Sequence, residues 1–391
     1  MDNLRIPKSE HQNRTKTVLM LAQEDGYDGV VLFDALNIHY LTGMYHLPTE
    51  RICAVGVTDE RTDIVVPRLE KEHAEREDFA IDDIHVYFDY PQGNPMEQVK
   101  EMCERLGIAR KSIAVDNDGS PGRNGYTGPR LSSIVAGSVG TEDYITTLRE
   151  KKSEAEIELI REASVWAHYG HKLLQEKIEV GKRPVTISGE VEVEATKVML
   201  DTLGERYEMM SWASPMQCNF TTGSLTERPH SVDQTTPIQN GDNIVTIVKP
   251  TVGGYTTELE RTLIVGEPSE EQRNYFRIMR ESQAIAIDAI EPGVEFSTVE
   301  EAVMHYFEEE NVLDYVQHHI GHNIGMEGHE RPFIDQGYEG TISKGELYTI
   351  EPGFYIPGIG GFRHSDTVLV TESGTEILTY YPRDIDDLTV N

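Results

Sequence analysis

The sequence has 391 residues, 38% of them hydrophobic, which is enough for the cores of two or three domains. Its 68 acidic and 35 basic side chains give a formal net charge of −33, which argues against nucleic acid and anionic lipid as partners. No apolar run is long enough for a transmembrane helix, and three dispersed cysteines argue against a disulfide framework. We therefore expect a soluble cytoplasmic protein, and its acidity is typical of a salt-rich cytoplasm.

The first part of the chain, residues 1–147, predicts a small α/β domain. Helices are expected over 15–24 and 95–106. Short apolar runs bounded by Gly, Asp or Pro predict buried strands. These strands are expected over 29–33, 37–41, 52–57, 63–66, 84–88 and 113–115.

The second part, residues 148–391, predicts an α+β domain. Three capping-box sequences mark helix starts: Ser153 with Glu156, Ser269 with Gln272, and Ser297 with Glu300. Strands are expected over 243–248, 260–265, 347–350 and 367–370. Helices interleaved with such extended runs favour an antiparallel sheet covered by helices.

Candidate functional residues gather in four clusters of the second domain. The clusters are Thr226 to His230 (TERPH), Gly254 to Thr262 (GYTTELERT), Gly321 to Pro332 (GHNIGMEGHERP), and Ile350 to Pro352 with Gly361 to Asp366 (GGFRHSD). A further candidate, Arg51, lies in the first domain. In this order the clusters resemble the pita-bread family of aminopeptidase P, prolidase, methionine aminopeptidase and creatinase, over nearly the whole chain. The resemblance implies a pita-bread catalytic domain after a creatinase/prolidase-type N-terminal domain, and a homodimer.

The resemblance also implies a metal site, because peptidases of this family hold two divalent ions with five side chains. The five positions fall on Ile247, Glu258, His322, Glu351 and Ser365 of this sequence. Ile247 has no donor atom and Ser365 is a poor ligand at neutral pH. We therefore expect no metal cofactor.

Without metal, the sequence resembles the creatinase branch, which cleaves a C–N bond of a guanidino substrate. The matching segment around GYTTELERT implies that Glu260 and Glu351 hold a cationic substrate group. His230 matches the catalytic histidine, which moves the proton. Our main hypothesis is therefore a metal-independent hydrolase of a small carboxylate-bearing guanidino, amidine or N-substituted amino-acid substrate. An exposed His230 and a solvated acidic face at Glu258 and Glu260 are the simpler alternatives.

The remaining site residues are expected to bind the substrate. Arg51 matches an arginine that grips the substrate carboxylate across the dimer interface, where its planar fork suits a carboxylate. His322, His329, Glu258 and Arg331 complete this group. Arg261 and Arg363 are interpreted as structural partners of the carboxylates.

Two alternatives stay open. The first is an Xaa-Pro dipeptidase or aminopeptidase with an atypical site, in which Glu258, His322 and Glu351 bind one ion of Mn, Fe, Co or Zn. The second is an inactive binding module that kept the scaffold. Elemental analysis would separate the metal-dependent alternative from the main hypothesis.

Overall fold

The computed structural model describes residues 3–88, 93–119, 125–211 and 213–390. The chain forms two compact units, Ile6–Arg149 and Glu150–Asn391, and the second of these includes Met1–Arg5. Within the described ranges, every helix is too short or too polar to span a bilayer. Cys53, Cys103 and Cys218 are buried free thiols, as expected from their spacing.

The first unit is built on a mixed sheet. Its helices are α1 (Lys8–Glu24), α2 (Ala35–Thr42), α3 (Lys71–Ala74) and α4 (Pro95–Arg105), and α5 (Tyr144–Glu150) follows at its end. Its strands are β1 (Gly29–Leu32), β2 (Ala54–Val57), β3 (Thr62–Pro67), β4 (Asp83–Tyr87), β5 (Ile113–Val115) and β6 (Val139–Thr141). They are ordered β4-β3-β2-β1-β5-β6, and β2 is antiparallel to both of its neighbours. Met96, Val99, Met102 and Cys103 of α4 pack on the apolar residues of the sheet.

The expected strand over 37–41 is wrong, because these residues belong to helix α2. The Asp34 side chain caps this helix by accepting from the amides of Leu36 and Asn37, and Gly43 ends it with φ 80°. The other strands and both helices expected in this unit are present, with ends shifted by a few residues.

The second unit contains a larger sheet with helices packed on it. The helices are α6 (Glu154–Lys177), α7 (Pro184–Leu203), α8 (Glu270–Ala289) and α9 (Phe296–Glu309). The first strands are β7 (Met216–Thr222), β8 (Asn243–Val252), β9 (Tyr255–Thr256), β10 (Leu259–Glu260), β11 (Thr262–Val265), β12 (Gly321–Asn323) and β13 (Glu330–Ile334). The later strands are β14 (Leu347–Ile350), β15 (Gly353–Ile356), β16 (Gly360–Arg363), β17 (Ser365–Thr371), β18 (Gly374–Ile377) and β19 (Thr389–Val390).

The order of strands in this sheet is β13-β12-β14-β17-β10-β8-β11-β19, while β7 and β9 pair with β8 and β18 pairs with β17. Strands β15 and β16 form a separate hairpin. The pairings from β12 to β8 are all antiparallel. Apart from β19, which pairs in parallel with β11, the sheet is the expected antiparallel arrangement, and the strands expected in this domain are present.

Two of the three expected capping boxes are confirmed. The Ser153 and Ser269 hydroxyl groups each accept from the backbone amide three residues later. The Glu156 and Gln272 side chains in turn accept from the backbone amides of Ser153 and Ser269. The box at Ser297 is wrong, because α9 already begins at Phe296. The amide of Phe296 donates to the carbonyl of Gly340, which fixes the chain ahead of the serine.

Candidate functional site

Five neighbouring strands bring the candidate residues of the second unit together. Glu258 immediately precedes β10, whose Leu259 lies opposite Asp366 of β17. Glu351 immediately follows β14, whose Ile350 lies opposite both Gly321 of β12 and Asp366. His322 comes from β12, and Ile247 lies on β8 at the other side. Residues that are far apart in the chain therefore meet through strand register.

Glu258, His322 and Glu351 form a cluster of buried metal-binding groups. One donor atom from each residue lies within 4.8 Å of the other two. Their exposed fractions are 1%, 0% and 7%. Since buried carboxylates are costly without a cation, this cluster needs positive charge nearby.

The ring of His322 directs its Nε2 into this cluster. Its Nδ1 lies 3.0 Å from the carbonyl of Asn323, which can only accept, so Nδ1 carries the hydrogen. Nε2 lies 3.1 Å from Glu351 Oε1, within ion-pair distance, although it has no hydrogen-bond partner among the described residues. Burial disfavours a charged ring, but the Glu351 carboxylate outweighs burial and raises the pKa of His322. A buried imidazole nitrogen facing carboxylate oxygens is a suitable donor set for a divalent metal ion.

Two side-chain cations lie beside the cluster. Lys249 Nζ is 2.6 Å from Glu258 Oε2, and Ser365 donates to the other oxygen of Glu258 over 3.1 Å. Arg363 binds both oxygens of Glu260, with Nε at 2.5 Å and Nη2 at 2.8 Å. The guanidinium expected from a substrate is thus supplied at Glu260 by the protein itself. Arg363 is a structural partner of a site carboxylate, as expected.

The carboxylates respond differently to their surroundings. Burial and the charges of Glu258 and Glu351 act to raise the pKa of Glu260, whereas the two hydrogen bonds and the charge of Arg363 act to lower it and favour the ionised carboxylate. Burial also opposes ionisation of Glu351, but His322 and Arg363 outweigh it and lower its pKa. Glu351 therefore offers a charged oxygen more readily than Glu260 does.

Of the remaining predicted residues of this unit, His329 contacts a member of the cluster, whereas Arg331 and His230 are described by other surroundings. His329 stacks on His322 with ring centroids 3.8 Å apart, and burial lowers its pKa to about 4. Arg331 lies 3.1 Å from Glu150 Oε1. His230 is exposed on the loop after the 3-10 turn Gly223–Glu227.

A cleft with about 410 Å³ of empty space opens beside Ile247 and Arg363. Pro229 and Ser231, the neighbours of His230, line it, and so does Tyr355. Tyr355 lies 3.1 Å from Arg363 through its hydroxyl group. The cleft therefore leads to the Glu260–Arg363 pair, and it can admit a small molecule.

Arg51 belongs to the first unit. Its Nη1 pairs with Glu50 Oε1 at 2.6 Å, and it lines a small cleft with His46, Cys53 and Tyr126. Its predicted role across a dimer interface stays a prediction.

A second group of donor residues, Asp63, Asp83 and His85, is also in the first unit. Here Arg61 already pairs with both carboxylates, with Nε 2.6 Å from Asp63 and Nη2 3.0 Å from Asp83. His85 Nε2 donates to Asp63 Oδ2 over 2.9 Å. This network is satisfied as an ion pair and does not require a metal.

Both parts of the chain match known protein families. Residues 158–372 match the model of metallopeptidase family M24, and residues 14–124 match that of the creatinase/prolidase N-terminal domain. The chain belongs to metallopeptidase family M24. It has the two-domain pita-bread fold of this family, and it is a hydrolase of C–N bonds.

Similar M24 proteins are described as Xaa-Pro dipeptidases or prolidases. An Xaa-Pro dipeptidase of Pyrococcus furiosus is 29% identical over 379 residues, which cover 96% of this chain and 99% of that protein. The crystal structure of the prolidase from Pyrococcus horikoshii is 26% identical, with a TM-score of 0.79 over 95% of this chain and 99% of that one. An Xaa-Pro dipeptidase structure from Bacillus anthracis has a TM-score of 0.84 at 22% identity, covering 97% of this chain and 100% of that one.

The expectation of no cofactor is wrong. The family is one of metallopeptidases, and Glu258, His322 and Glu351 come together as a donor set despite the loss of charge at two other positions. Ile247 and Ser365 replace two of the five ligands, but the three remaining donors lie on or next to separate strands and suffice to hold an ion. The comparisons also favour the Xaa-Pro alternative over the creatinase-like main hypothesis.

The motifs of the sequence do not include Lys249, although its spacing from Ile247 is visible there. It stands two residues after Ile247 on β8, so both side chains point to the same face of the strand. A lysine on the strand face where acidic ligands are expected indicates that a protein side chain balances part of the negative charge of the site.

Proposed function

We propose that this M24 protein is a metal-dependent Xaa-Pro peptidase that acts on small peptides and uses one divalent ion. The observation that supports it is Nε2 of buried His322, which faces Glu351 and Glu258 and has no hydrogen-bond partner among the described residues. The Xaa-Pro substrate class comes from the named activities of the relatives. Carboxylate and imidazole ligands suit Mn, Fe, Co or Zn.

Glu258, His322 and Glu351 would hold the ion. When bound, it supplies Lewis-acid chemistry that polarises the scissile carbonyl group. The carbonyl of Asn323 keeps His322 in the tautomer that presents Nε2. Arg363 keeps Glu260 in place over two hydrogen bonds, so this carboxylate remains oriented at the edge of the site.

The cleft beside Ile247 and Arg363 is the proposed substrate site. Its aliphatic wall at Ile247 suits an apolar ring, and Tyr355 and Arg363 provide donors for the peptide. His329, stacked on His322, and His230, on the loop that borders the cleft, are proposed to lie near the scissile bond. Because burial lowers the pKa of His329, its ring is neutral at physiological pH and can form hydrogen bonds to the substrate without adding charge to the site.

The test is a substrate screen with metal control. Purified protein is stripped with chelator, reloaded with Mn²⁺, and offered Ala-Pro, Ala-Ala, creatine and other guanidino acids. We expect proline release from Ala-Pro that requires the metal. Turnover of a guanidino acid after chelation, without Ala-Pro cleavage, would contradict the proposal.

Variants then locate the site. Glu351→Gln and His322→Ala should abolish Ala-Pro cleavage and Mn²⁺ binding while leaving the circular dichroism spectrum unchanged. Glu346→Gln is a matched control, because Glu346 is buried in the same sheet region but binds the Tyr348 hydroxyl instead of the cluster. It should keep activity, and an active Glu351→Gln enzyme would exclude Glu351 as a ligand.

We further propose that the protein acts as a homodimer in a salt-rich cytoplasm, with Arg51 contacting the substrate carboxylate across the dimer interface. The net charge of −33 supports the salt requirement, because screening relieves the repulsion between acidic surfaces. Sedimentation velocity in low and high salt tests whether the protein is a dimer and whether the dimer requires salt. Arg51→Met should raise KM for Ala-Pro without lowering metal content, and an unchanged KM would exclude this role.

A further inference from the structure

Lys249 is a charged residue beside the cluster, and the proposed function assigns it no role in metal or substrate binding. It projects from β8 on the same face as Ile247, and its side chain is 21% exposed. Its ammonium nitrogen lies 2.6 Å from Glu258 Oε2, while Glu258 itself is 2% exposed at the side chain. A lysine in such a position directly occupies one oxygen of a metal-ligand candidate.

The charges around the cluster show what this contact does. Glu258, Glu260 and Glu351 are three buried acidic groups, and Lys249 and Arg363 are the two cations paired with them. Arg363 is directed to Glu260, so Lys249 is the cation that meets the proposed ion at Glu258. Like charges at this range repel strongly in a buried site.

We propose that Lys249 is an internal cation that competes with the divalent ion for Glu258 and thereby sets the metal affinity of the site. This inference rests on the proposed function, because it requires an ion at Glu258, His322 and Glu351. In the absence of the ion, the ammonium group stabilises the buried Glu258 carboxylate. When the ion binds, the same group opposes it, so the site holds one ion with reduced affinity.

The test measures Mn²⁺ binding by isothermal titration calorimetry at mildly alkaline pH. Lys249→Gln removes the charge but keeps a hydrogen-bond donor for Glu258, so it is the main variant. Removing a unit charge next to a divalent ion should tighten binding by about tenfold or more, even at an effective dielectric constant of about 20. Lys249→Arg keeps the charge and should bind as the wild type does.

Controls separate this effect from general changes in charge or folding. Lys182→Met removes an exposed lysine that pairs with Glu179, and it should leave the affinity unchanged. Lys249→Met gives a second neutral side chain if the glutamine variant does not fold. The gain in affinity should persist in high salt, because buried charges are screened less than exposed ones.

The outcomes distinguish the two proposals. Wild-type binding with equal or weaker affinity in both neutral variants would overturn the competition by Lys249 and leave the metal-dependent function in place. A Lys249→Arg variant that binds as tightly as Lys249→Gln would also overturn it. The absence of Mn²⁺ binding in every protein would overturn the proposed function together with this inference.

Discussion

Replacing Arg363 with methionine should destabilise the protein strongly, because it leaves the carboxylate of Glu260 buried without its partner. The two side chains are 10% and 1% exposed, and two nitrogens of Arg363 lie 2.5 and 2.8 Å from the carboxylate oxygens. Two unit charges about 4 Å apart attract by about 4 kcal/mol at an effective dielectric constant of about 20. Breaking a buried pair from one side costs about 3–5 kcal/mol. We expect a loss of this size in the free energy of unfolding, measured in urea.

A double-mutant cycle assigns the loss to the pair. Glu260→Gln should lower the free energy of unfolding by less than Arg363→Met does, because Arg363 keeps its hydrogen bond to the Tyr355 hydroxyl at 3.1 Å. The double variant should lose less stability than the sum of the two single losses, by about 2 kcal/mol or more. The Arg161–Glu376 pair, 37% and 43% exposed, is the matched control and should show a coupling of about 1 kcal/mol or less. An Arg363→Met protein as stable as the wild type would refute the reasoning, since Glu260 would then not depend on Arg363.

Three further predictions concern the stability of the two units. Arg261→Met should cost about 3–5 kcal/mol in urea unfolding, because Arg261 pairs with Asp366 at 3.0 Å where both side chains are 0% exposed; a loss below 1 kcal/mol, in the range of an exposed pair, would contradict this. Asp34→Ala should cost about 1 kcal/mol by removing the cap of α2, and Asp34→Asn should restore most of it. Burial, aided by the charge of Arg14, lowers the pKa of His11 to about 4, so the folded state favours neutral imidazole. The stability from His11 is complete above pH 6.5 and is lost as the pH falls towards 4, by about 3 kcal/mol in total. His11→Gln should flatten unfolding free energy across that range, whereas a variant of exposed His305 should not; equal slopes for wild type and His11→Gln would exclude this role.

The sequence could predict elements whose signals are local. The capping boxes at Ser153 and Ser269 formed because both partners lie three residues apart on one helix turn. The run over 37–41 was mistaken for a strand, since a short apolar run fits a buried strand as well as a helix. The decisive signal was Asp34 just ahead of it, which caps α2.

The site was predicted in part for a different reason. Family resemblance placed Glu258, His322 and Glu351 at ligand positions, and the structure brings their donor atoms together. Ile247 and Ser365 do stand at two ligand positions, but the prediction of no metal cofactor was wrong. The partners Lys249 and Arg363 depend on side-chain direction and strand register across distant segments, and a single sequence does not show which carboxylate each cation contacts.

The antiparallel sheet also explains how such a site can change its chemistry while the fold stays constant. Ile247 lies opposite Asn219 and Ser365 lies opposite Glu260 through backbone pairing, which makes no use of the side chains at these positions. A ligand can therefore be exchanged for an aliphatic, hydroxyl or ammonium group without disturbing the ladder. The side chain at each of these strand positions can change independently of the others. Enzymes with different metal requirements can therefore evolve from this scaffold by single substitutions.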